Sequence, residues 1–132
     1  MKAKHYLLFT VLWMLFIFFL SSQSSEKFEE IKYNIEWLRY RNFFAHFILY
    51  FILGFFFINF LKFYVKNTIL KLIYYFLVIF LYSIFDEIHQ YYVPGRYFEI
   101  IDIFVNITGG IAMFIMFIST SRFFNIINNR KQ

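Results

Sequence analysis

Four long apolar runs, separated by short polar breaks, set the pattern of this chain. Tyr6 to Leu20 runs fifteen residues, with Thr10 and the tyrosine hydroxyl as its only polar interruptions. Phe43 to Leu61 gives nineteen residues with no formal charge when His46 is neutral, and Ile100 to Ile118 gives nineteen more, with Asp102 and Asn106 inside it. A helix needs about 20 apolar residues to cross a hydrocarbon core about 30 Å thick. The first run is short, near the upper edge of a signal-peptide core, and Ser21 to Ser25 follow it. No clear small-x-small cleavage site appears there, and the flanks can extend the helix. It reads as the first transmembrane helix.

The third run is the informative one. Between Lys71 and Asp86 lie only fourteen uncharged residues, about 21 Å of helix at 1.5 Å per residue. Lys71 can snorkel its ammonium to the headgroups. Even so, the helix must continue to about Gln90 or start near Asn67. In the first case Asp86 and Glu87 sit below the interface rather than beyond it.

The breaks are turns and one longer loop. Lys62 to Asn67 is long enough only for a turn between neighbouring helices, and Pro94-Gly95 ends the third helix. Glu26 to Arg41 carries mixed charge, with Phe28, Ile31, Ile35 and Leu38 at helical spacing. Two readings stand: a solvated loop with a short helix, or an amphipathic helix on the bilayer surface with Tyr33, Trp37 and Tyr40 at headgroup level.

Composition agrees with the runs. Apolar residues make up 61% of the 132, against roughly 45–50% in soluble domains, and charged residues only 16%. A soluble fold of this size cannot hide that much apolar surface. The expected fold is all-α: one membrane domain over 1–132, with four transmembrane helices at about 5–22, 43–61, 67–90 and 100–118. The absence of cysteine excludes disulfide and thiolate chemistry. The net charge of +5 forms no single patch, and no basic groove interleaved with aromatics favours nucleic acid.

The basic residues set orientation instead. Four spans put both termini on one side, together with Lys2, Lys4, Lys62, Lys66, Lys71, Arg122, Arg130 and Lys131. The other side carries Lys27, Lys32, Arg39, Arg41 and Arg96 with every carboxylate in the chain. Lysine and arginine bias toward the cytoplasm. Both termini are therefore expected to be cytoplasmic, in a multi-pass protein whose loops after the first and third spans face outward.

That topology gathers the polar residues at one depth. His46 lies about one turn into the second span, and Asp86, Glu87, His89 and Gln90 leave the third at its outer end. Asp102, Asn106 and Gly109, spaced i, i+4, i+7, line one face of the fourth. Asp102 is roughly 3 Å and Asn106 roughly 9 Å into that helix. Arg96 lies in the turn between the third and fourth spans. Ionisable residues in spans cost about 2.5–3.5 kcal/mol each on insertion scales and are functional candidates by default.

Three chemistries fit. A structural staple would pair Arg96 with Asp86 or Asp102 and let His46 and Asn106 satisfy leftover donors and acceptors. A metal set could draw on His46, His89 and a carboxylate, but His-Glu-x-x-His spacing is missing, so neither metal nor cofactor is expected. An enzyme would use Glu87, His89 or Asp86 as general base on a lipid-linked envelope substrate, with Arg96 clamping a phosphate or carboxylate. Partners are expected among membrane lipids, a lipid-linked envelope precursor or another membrane protein.

These residues carry a resemblance. Trp13, Ser21-Ser22-Gln23-Ser24, Ala45-His46-Phe47, Tyr50 and Leu53-Gly54 are similar to the VanZ-like family of bacterial membrane proteins. The most specific set is Asp86-Glu87-x-His89-Gln90-x-x-Val93-Pro94-Gly95-Arg96, followed by Asp102, Asn106 and Gly109. One departure stands out. The family usually has a lysine three positions before the span-two histidine, where this chain has Phe43, and the nearest basic residues are Arg41 and Arg39. The resemblance implies a four-helix protein of the bacterial cytoplasmic membrane, linked to the cell envelope. The founding member is associated with low-level resistance to the glycopeptide teicoplanin, so the resemblance also implies altered glycopeptide susceptibility.

Overall fold

The computed structural model describes residues 2–24 and 35–129, with side chains over 2–24 and 42–121. Four helices make up these residues: α1 (Ala3–Ser21), α2 (Ile35–Tyr64), α3 (Thr68–Tyr91) and α4 (Ile100–Asn129). Each contains a stretch long and apolar enough to cross a membrane: Ala3–Ser21, Asn42–Tyr64, Thr68–Tyr91 and Ile100–Ser121. The surface helix considered for 26–41 lies outside the described residues over 25–34, while 35–41 form the opening turns of α2.

The third helix resolves its length problem at both ends. It starts at Thr68, where Asn67 caps it by accepting from the backbone N–H groups of Ile69 (2.8 Å) and Leu70 (3.1 Å). It runs past the carboxylates to Tyr91. Twenty-four residues give about 36 Å of helix, slightly more than the hydrocarbon core. Asp86 and Glu87 are thus inside the helix, about 6–8 Å from its end. The only proline sits in the following turn, where Gly95 takes φ 75°, a left-handed conformation that a side chain disfavours. Asp102 opens α4 in its first turn, where the helix dipole favours a carboxylate.

Packing centres on α2, whose largest interface is with α4. Tyr50, Leu53, Ile58, Tyr75 and Ile79 are fully enclosed, with Ile17 reaching in from α1. Outside this core, large apolar side chains such as Leu15, Phe44 and Ile69 are exposed. In a bilayer that outer surface meets acyl chains, so its exposure carries no aqueous penalty. Lipid offers no hydrophobic drive for helix association, and close packing and hydrogen bonds between helices must supply it. Both are present. Trp13 Nε1 donates to the Leu49 carbonyl (2.8 Å), Tyr75 Oη to that of Gly110 (2.8 Å), and Tyr82 Oη to that of Met14.

Glycine permits the tightest approach. A Cβ on Gly109 would overlap the Phe47 backbone carbonyl, so α4 meets α2 there backbone to backbone. A groove of about 390 Å³ lined by Ile73, Phe76, Leu77, Ile79, Phe80 and Ile107 is apolar throughout and holds none of the polar candidates.

Candidate functional site

Antiparallel helices joined in sequence place the end of α1, the start of α2, the end of α3 and the start of α4 at the same end of the bundle. Apart from Thr10 in the middle of α1, the buried polar side chains collect there. Ser21 comes from α1, His46 from α2, Ser83, Asp86, Glu87 and Gln90 from α3, and Asp102 and Asn106 from α4. Within α3 the spacing 83, 86, 87, 90 is the i, i+3, i+4, i+7 of one helix face, and in α2 the series 42, 46, 50 does the same. The face is turned inward, although it is the polar one.

Asn106 links three helices. Its Oδ1 faces His46 Nδ1 at 3.0 Å, and its Nδ2 donates to Ser83 Oγ at 3.0 Å. In this arrangement His46 Nδ1 carries the proton that Asn106 accepts, and Nε2 points elsewhere. It faces Asp102 Oδ2 at 3.6 Å. Asn42, one turn before His46, donates to the same Asp102 oxygen at 3.2 Å. The other Asp102 oxygen, Oδ1, is buried with no hydrogen-bond partner.

Asp86 and Glu87 are held by a second network. Ser21 Oγ donates to Asp86 Oδ1, tying α1 to α3. Gln90 Nε2 spans both acids, 3.4 Å from Asp86 Oδ2 and 3.3 Å from Glu87 Oε1. Glu87 Oε2 accepts from the backbone N–H of Glu99 at 3.1 Å, which fastens the segment leading into α4. Arg96 Nη2 donates to Gln90 Oε1 at 2.9 Å. The staple expected between Arg96 and a carboxylate is thus indirect: Gln90 stands between them. Among the described residues, His46–Asp102 is the one pair of opposite character within 4.0 Å. The arginine still acts on Asp86, Glu87 and Asp102 through space.

His89 belongs elsewhere. Two residues beyond Glu87, it points about 200° away around the helix, bonding Ser22 Oγ at 2.9 Å and stacking on Phe18 with ring centroids 4.1 Å apart. His46 and His89 therefore do not converge. Instead, one ligand atom each from His46, Asp86 and Glu87 lies within 4.8 Å of the others. The Tyr50 hydroxyl, fully buried, stands next to Ser83 and is close enough to act on Asp86 and Glu87.

Several members of this cluster escape a reading of charge alone. Ser21 and Ser22 look like a helix-end loop by composition, yet Ser21 is helical and both reach α3. Asn42, Tyr50 and Ser83 are common residue types in spans. Their signal is register: 42 and 50 flank His46 by one turn each, and 83 precedes Glu87 by one turn.

The arrangement brings three carboxyl groups and one imidazole into a nearly dry volume, with the half-buried guanidinium of Arg96 at its edge. Desolvating such ions costs several kcal/mol each, and fixed donors must offset it. The hydroxyls, amides and backbone N–H described above do so in part. A family model described as VanZ/LLP1 matches residues 6–125. The chain belongs to the VanZ/LLP1 family. Comparison with curated proteins gives no match, nor does comparison with solved structures.

Proposed function

We propose that this protein works in the bacterial cytoplasmic membrane through an outward-facing polar pocket at the Asp86–Arg96 end of the bundle. Its activity there modulates susceptibility to glycopeptides such as teicoplanin. One observation carries the reading: every helix delivers a buried polar side chain to the same end, and the Arg96 turn closes over them. A bundle that needed only cohesion would not concentrate its costliest residues at a single depth. The basic residues on the termini side support an outward aspect for that end. Arg96, with its fork of donors, suits the phosphate of an envelope lipid or lipid-linked precursor at headgroup level.

The test is a set of isosteric changes: Asp86→Asn, Glu87→Gln and Asp102→Asn, each scored for membrane level and for teicoplanin susceptibility in a glycopeptide-sensitive host. Normal accumulation with loss of the protein-dependent phenotype supports the pocket. If all three variants keep the phenotype, the pocket reading fails. Reporter fusions after Lys66 and after Gly95 test the orientation, and a cytoplasmic signal at Gly95 would reverse it.

A further inference from the structure

We propose that His46, Asp86 and Glu87, with Asp102 beside His46, form a site for one divalent transition-metal cation of the zinc or manganese class. Geometry makes the first case. One donor atom from each of His46, Asp86 and Glu87 lies within 4.8 Å of the other two. The three residues come from two helices and are 5%, 2% and 0% exposed. Donors around a tetrahedral zinc with bonds of about 2.0–2.1 Å lie about 3.4 Å apart, so modest side-chain rotation closes the set. The mixture of imidazole nitrogen and carboxylate oxygen selects zinc, manganese or iron over magnesium or calcium.

Asp102 makes the second case independently. Its Oδ1 is a buried carboxylate oxygen with no hydrogen-bond partner. Its Oδ2 faces His46 Nε2 at 3.6 Å, about the spacing of two ligands on one ion. When His46 is neutral, with its Nδ1 proton directed at Asn106, Nε2 and Oδ2 are two acceptors facing each other. A shared cation resolves that opposition. The Asn106 contact is also what a metal-binding histidine ordinarily makes through its other nitrogen, fixing the tautomer and the ring plane. The hydroxyl of Tyr50, buried beside Asp86 and Glu87, likewise makes no hydrogen bond of normal geometry.

Charge gives the third. Three carboxyl groups, those of Asp86, Glu87 and Asp102, gather near one imidazole, and the Arg96 guanidinium acts on all three. A divalent cation would offset that excess of acidic groups. Ser21, Gln90 and Asn42 then act as outer partners that orient the carboxylates.

The experiment uses the full chain purified in detergent, stripped with a chelator, then titrated separately with Zn²⁺, Mn²⁺ and Co²⁺. Bound metal is read by elemental analysis after buffer exchange. One equivalent is expected on the wild-type protein, with at least tenfold weaker binding in His46→Gln and Glu87→Gln. His5→Gln and His89→Gln should bind as wild type. A wild-type protein that retains no stoichiometric metal overturns the proposal, as does equal binding in His46→Gln and Glu87→Gln. Release by His89→Gln as strong as by His46→Gln also overturns it. Should the ligand variants fail to fold, the wild-type protein decides alone: a saturable ligand-field absorption with Co²⁺ supports the site, and its absence overturns it. Because the readout is metal and not susceptibility, the two proposals fail separately.

Discussion

The two ends of this bundle are held together by different physics. At one end, Asn106, Ser21 and Asn42 reach across helices with polar side chains, and every link depends on a donor meeting an acceptor. At the other, Tyr75 packs against Phe57, Phe76 and Phe114, with ring centroids 5.1–6.3 Å apart. One hydroxyl there finds a carbonyl, that of Gly110. The aromatic end tolerates lipid on every side and needs only shape. The polar end must be satisfied atom by atom, because an unpaired buried group costs about 1–3 kcal/mol. That costlier kind of end is what the proposed pocket requires.

The comparison breaks most violently where both ends depend on one contact. Gly109 lets α4 meet the backbone of α2 between the polar and aromatic halves, and the overlap of an added Cβ would be with a carbonyl that cannot swing aside. Gly109→Leu should therefore abolish folded protein, a loss above about 3 kcal/mol for overpacking against backbone. Size-exclusion profile and helical content in detergent read it. A monodisperse, fully helical Gly109→Leu protein would show that the α2–α4 contact is dispensable.

The next pair separates the ends. Asn106→Leu leaves the His46 Nδ1 proton and the Ser83 hydroxyl without their shared partner, at a cost of about 2–6 kcal/mol for two buried groups, and should remove the susceptibility phenotype. Tyr75→Phe deletes one interhelical hydrogen bond, worth about 0.6 kcal/mol on average and about 1.7 at most in membranes, and should leave the phenotype intact. Thermal unfolding in detergent gives the first quantity in each case. If Tyr75→Phe proves as costly as Asn106→Leu, the ends do not differ as argued.

How much of this contrast the sequence discloses depends on the interaction. Lipid solvation writes itself into composition, so the four spans are legible from run length. The short third run between Lys71 and Asp86 was enough to place two carboxylates inside a helix, as the course of α3 to Tyr91 bears out. Face is also legible, since helical period puts Asp102 and Asn106 together. Neighbours are not. Period shows that His89 and Glu87 point apart, but which helix each meets depends on packing, and His89 turns to α1 rather than to His46. Gln90 intervening between Arg96 and the acids is equally invisible, because opposite charges invite a direct pairing that the fold does not make. Serine is the hardest case. Ser21 has the composition of a loop and the position of a partner to Asp86.

That case also supplies the finest test of where the polar end stops. Ser21 and Ser22 are adjacent, and each bonds α3, but to different faces of it. Ser21 is buried and donates to a carboxylate; Ser22 is half-buried and bonds His89, which stacks on Phe18 at the rim of the cluster. A hydrogen bond to a charged group is worth about 1.5–3 kcal/mol, a surface substitution about 0.5 or less. Ser21→Ala should thus lower stability by about 1.5–3 kcal/mol and weaken the phenotype, because Asp86 loses a donor it cannot replace from solvent. Ser22→Ala should change stability by less than about 0.5 kcal/mol and leave the phenotype alone. Side-by-side unfolding and susceptibility measurements on the two variants read both effects. Equal effects would move the boundary outward to include His89, and α1 would then bring two residues to the site instead of one.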